Sequence, residues 1–83
     1  SNIIRFTNLP SEAVTIRIFT VSGSLVTTLR KEGSSRSLDW NLQTSNNLPV
    51  ASGMYLVHVD VADVGERTLK LGIINRRTQI RAF

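Results

Sequence analysis

His58 is the only histidine of the chain, which excludes any site that needs two, and a general base requires a positioned partner. It alternates with apolar neighbours and so falls on the outward face of a strand, where a lone histidine is usually a surface residue. None of the serines sits in a Gly-x-Ser-x-Gly elbow, so a hydroxyl-nucleophile hydrolase is not expected. Among the six carboxylates, only Asp60, Asp63 and Glu66 lie close together. Around a hairpin loop they could offer hard oxygen ligands to calcium, but the tight spacing of a dedicated calcium loop is missing, and acids that solvate a turn are the preferred reading. Gly23, Gly33, Gly53, Gly65 and Gly72 are isolated from one another and cannot cradle a phosphate. Trp40 and Tyr55 could stack on sugar rings, yet their inward-facing apolar neighbours assign them to a core. No catalytic residue, metal site or cofactor is expected, and the domain is read as non-enzymatic.

These side chains must be held by a small fold. The chain has 83 residues, enough for one thin core. Hydrophobic residues at 41% and charged residues at 19% describe a globular chain rather than a disordered one. Cysteine is absent, so packing must supply all of its stability without disulfides or thiolate ligands. The net charge is +4, and Arg76, Arg77 and Arg81 account for three of those charges, leaving the body close to neutral. Neither a basic stripe with aromatic platforms nor a recognition helix is visible, so nucleic acid is not an expected partner. No apolar run approaches the roughly 20 residues of a helical membrane span. Beginning Ser1-Asn2, without a methionine or a basic-then-apolar leader, the chain reads as a fragment of a larger protein.

Alternation supplies the elements. Ile3 to Thr7 predicts an opening strand, closed by the turn residues Asn8-Leu9-Pro10-Ser11. From Ala13 to Thr20 the chain predicts a second strand, with Val14, Ile16 and Ile18 on one face and Thr15, Arg17 and Phe19 on the other. Ser22-Gly23-Ser24 then predicts a hairpin into Leu25 to Leu29. Arg30 to Ser37 reads as a polar loop, and Leu38, Trp40 and Leu42 alternate as a further strand. Met54 to Val61 directs Tyr55, Val57, Val59 and Val61 to one side. Ala62 to Glu66 turns the chain into Arg67 to Asn75, where Leu69, Leu71 and Ile73 alternate with Thr68, Lys70 and Gly72. Arg76 to Phe83 adds an edge strand or hangs free. The absence of a sustained helical stripe and the turn signals at roughly ten-residue spacing predict an all-β, immunoglobulin-like antiparallel β-sandwich of about seven strands. Residues 1–83 form one domain in this reading, with a core over 3–75 and a basic tail over 76–83.

Several stretches, taken in order, carry a resemblance: Ile4 to Pro10, Val14 to Val26, Trp40-Asn41-Leu42, Pro49 to Val57 and Leu69 to Ile74. The most specific are Phe19-Thr20-Val21-Ser22-Gly23-Ser24-Leu25-Val26 and Ala51-Ser52-Gly53-Met54-Tyr55. Together they resemble the C-terminal sorting domains of the Por, or type IX, secretion system of Bacteroidetes-like bacteria, and the related immunoglobulin-like domain of flagellar hook-capping proteins. The resemblance implies a non-catalytic module that directs secretion and cell-surface sorting of a passenger in the same parent chain. Its partner would be the export machinery of the outer membrane, and its location the outside or surface of a Gram-negative-type bacterium. Lys70, Gly72, Ile73 and Ile74 are the positions that the resemblance matches to recognition by that machinery. The chain continues from Asn75 to Phe83, past the point where such domains usually stop. A second reading therefore stands beside the first: a structural or protein-interaction sandwich of a surface protein or secreted enzyme, self-associating through an edge strand or the Arg76 to Phe83 segment.

Overall fold

The computed structural model describes residues 3–74. Six strands form in chain order: β1 (Ile4–Phe6), β2 (Val14–Thr20), β3 (Leu25–Lys31), β4 (Leu38–Trp40), β5 (Gly53–Val61) and β6 (Gly65–Ile73). No helix forms among the described residues. All pairings are antiparallel, in a four-stranded sheet of order β3-β2-β5-β6 and a two-stranded sheet of β1 and β4. The all-β expectation is met, with six strands among the described residues where about seven were expected for the whole chain. The further strand expected at Arg76 to Phe83 lies outside the described residues.

The core sits where the two sheets face each other. On β2, Val14, Ile16 and Ile18 are buried, and β5 sends Tyr55 and Val57 to the same face in register with them. Trp40, 1% exposed, enters from β4, opposite Ile4 of β1. The period-2 pattern produces this face directly, because alternate side chains of a strand point to opposite sides of its sheet. Burying each of these large aliphatic side chains contributes about 1.5–3 kcal/mol, the main force available to a chain without disulfides. Two polar tips are satisfied inside: the Trp40 Nε1–H donates to the Gln43 carbonyl at 2.9 Å, and the Tyr55 hydroxyl donates to the Ala51 carbonyl at 2.6 Å.

The β2–β3 hairpin turns as its sequence predicts. The Gly23 amide donates to the Thr20 carbonyl at 2.9 Å, and Gly23 adopts φ 96°, a conformation that costs glycine nothing and a β-branched residue a great deal. In the β5–β6 hairpin the returning strand starts two residues sooner than the sequence suggests, at Gly65 rather than Arg67, with Val61 opposite Gly65 across Ala62-Asp63-Val64.

Two expected boundaries need correction. Arg30 and Lys31 belong to β3 rather than to the loop, and Lys31 is 8% exposed. Its ammonium donates to the carbonyls of Pro10, Glu12 and Gly33 at 2.6, 2.8 and 3.2 Å, so it gathers the loop before β2 and the loop after β3 around one charge. β4 stops at Trp40, because Leu42 takes a left-handed φ of 62° and leaves the strand direction. Leu42 still packs on the core, and its carbonyl accepts from the Val50 amide at 3.0 Å. The intervening loop is fastened to the β3 edge by the Ser45 amide, which donates to the Val26 carbonyl at 3.0 Å.

Candidate docking edge

The two outer strands of the large sheet differ. Besides pairing with β2, β3 is engaged at Val26 by the Ser45 loop. β6 pairs with β5 over all nine of its residues and with no other described strand. Its second side therefore presents the amides and carbonyls of alternate residues to any chain that can align with them. Burial along it is low, and only Ile73, at 5% exposed, belongs to the core. Leu71 is half-buried and Leu69 is 45% exposed, although both point to the inner face. The small sheet covers β2 well and this end of β6 poorly. An open, mainly apolar groove of about 490 Å³ results, lined by Phe6, Leu9, Val59, Val61, Val64 and Leu69 among others.

The four positions implied by resemblance to meet an export machinery are split between the faces. Lys70 and Gly72 stand on the outer face, opposite Leu56 and Met54 of β5. Ile74, just past the strand, is 76% exposed. Ile73 points inward and is buried, so its side chain is not available to a partner of the folded domain. The apolar character of the outer face near Gly72 was not drawn from the sequence. Register places Leu25, Phe19 and Leu56 in one row across β3, β2 and β5, with Met54 and Leu25 each at least half exposed.

Among the described residues, one charged pair forms on this face, between His58 and Glu66. His58 lies on the outer face, as its alternation indicates, and its Nε2–H donates to Glu66 Oε1 at 2.6 Å. Glu66 itself stands directly opposite Asp60. Among the described residues no group of three acidic or histidine side chains is placed to hold a metal ion, and Asp60, Asp63 and Glu66 do not converge as calcium ligands. On the small sheet, Arg5 donates from its Nε and from a terminal nitrogen to the two carboxylate oxygens of Asp39, at 2.8 and 3.0 Å. Those hydrogen bonds hold the Asp39 carboxyl below its usual value and the Arg5 guanidinium above its own. Trp40 and Tyr55 are both buried, so neither offers a ring face to a sugar.

No family model matches the chain, and no curated protein does. Among solved structures, it is similar to PorZ, described as an essential bacterial surface component of the type-IX secretion system of Porphyromonas gingivalis. The TM-score is 0.59 at 18% sequence identity, over 89% of this chain and 12% of PorZ. The likeness is one of fold, and the chain spans about an eighth of that protein's length.

Proposed function

We propose that this chain is an immunoglobulin-like sandwich module without catalysis of its own, which directs secretion and surface sorting of a larger passenger through a type-IX export machinery. The observation that carries the reading is the open β6 edge, whose second side has no strand partner among the described residues and whose outer face carries Lys70 and Gly72. Strand addition needs no special side chains and suits a module recognised by shape and backbone. The fold shared with a segment of PorZ supports the secretion context. The Tyr55 hydroxyl, bonded to a carbonyl four residues upstream, supports the immunoglobulin-like assignment, since such sandwiches use a tyrosine corner of this kind. Secretion to the bacterial surface is part of the same proposal.

A second reading, an accessory or interaction sandwich within a surface protein, is favoured by the burial of Ile73 within the implied recognition stretch. Fusion of residues 1 to 83 behind a signal peptide and a reporter, in a host with type-IX export, separates the two. Reporter at the cell surface, reduced by Lys70→Glu, is the expected result; reporter retained in the periplasm overturns the sorting role.

A further inference from the structure

The β6 edge carries a charge pattern that complements itself. Its outer face presents Glu66, Thr68 and Lys70 at alternate positions. At one end, Glu66 accepts from His58 through Oε1 and also stands opposite Asp60, a like charge that repels it across the sheet, so its exposed carboxylate still has room for a further cation. At the other, Lys70 stands opposite Leu56 and has no ion-pair partner among the described residues. One end of the edge thus seeks a cation and the other an anion, with Thr68 midway between them.

We propose that a second copy of this chain adds its β6 antiparallel to this edge, about a twofold axis through Thr68. This rests on the reading of β6 as a strand-accepting edge and names one partner for it. In that register Lys70 faces Glu66 of the second copy, and the symmetry makes the contact twice. Thr68 faces its own counterpart, a favourable cross-strand pair. On the inner face Leu69 lies opposite Arg67 of the second copy, whose aliphatic stem can cover a leucine left 45% exposed. Axes through Glu66, Arg67 or Lys70 would each set a charge against itself, and an axis through Leu69 would pair no charges at all. The register through Thr68 alone matches both ends.

The 83-residue chain contains no cysteine, so Thr68→Cys introduces a single thiol whose partner can only be another copy. Directly opposed Cβ atoms lie within about 5.5 Å, close enough for oxidation to join them. Thr68→Cys is expected to cross-link rapidly, and Gly72→Cys, which would face Val64 of the second copy, is expected to remain largely single. Sedimentation of the unmodified chain should show a concentration-dependent dimer. Glu66→Lys or Lys70→Glu should each weaken it about tenfold, and the two together should restore it, because the exchange recreates both pairs. A monomer up to about 1 mM, the weak limit of specific association, overturns the proposal. So does a dimer indifferent to the charge exchange, or one that cross-links better through position 72. Export of a reporter by a monomeric domain would remove this pairing and leave the sorting role standing, whereas a symmetric dimer that exports nothing would do the reverse.

Discussion

Lys31 meets the requirement that a buried ammonium find acceptors for its donors, since three carbonyl oxygens surround it. Lys31→Met keeps much of the stem and removes the donors, leaving the carbonyls of Pro10, Glu12 and Gly33 without that partner. Loss of about 2–4 kcal/mol in urea unfolding is expected, the range for removing charge-assisted bonds from a covered site. A variant as stable as the parent would show that the loops hold themselves. Asp39 makes the opposite case, an exposed group whose pairing is visible but weak. Its folded carboxyl titrates below the unfolded one, so the pairing stabilises fully above the usual carboxylate value of about 3.9 and is lost as pH falls through the lower folded value. NMR titration of Asp39 should give a midpoint below that of an ordinary aspartate, and Arg5→Gln should move it upward. No movement would remove Arg5 as the cause. The sequence announces neither role: Lys31 follows Arg30 and precedes Glu32, a charged run that reads as solvated, and the Arg5–Asp39 contact joins strands 34 residues apart.

At the scale of elements, alternation located β2, β5 and β6 of the large sheet, because apolar side chains recur on one face of each, and the Ser22-Gly23-Ser24 turn located β3. It could not show how well the second layer covers each strand. Leu69 and Ile16 occupy equivalent inward positions in their alternations, yet Leu69 is 45% exposed and Ile16 is fully buried. Coverage depends on where β1 and β4 settle, which no local pattern encodes. Ile16→Ala should therefore cost about 2–5 kcal/mol, with Leu69→Ala well under half of that, as measured by chemical denaturation. Equal losses would mean that β6 is covered in solution. The end of β4 was hidden for a different reason. Leu42 continues the apolar alternation of Leu38 and Trp40, but a left-handed backbone at a leucine has no sequence signal, and only the turn toward Val50 demands it.

For the whole molecule, the candidate edge was legible as a strand and as the expected place of contact, whereas its openness along one side is a property of the completed sheet. The likeness to a segment of PorZ fits a domain in which the fold itself, more than any side-chain cluster, is the shared feature. Position in the sheet also has a mechanical consequence. β6 is joined along one side to β5, and the chain continues toward Phe83 from its Ile73 end. Tension applied beyond Ile73 and directed across the strands would load the hydrogen bonds of β6 one after another, like a zipper, instead of shearing them together. Ile73 is the one core side chain on that strand, and it stands at the first tooth. A single buried isoleucine would then set the force at which the sheet begins to open.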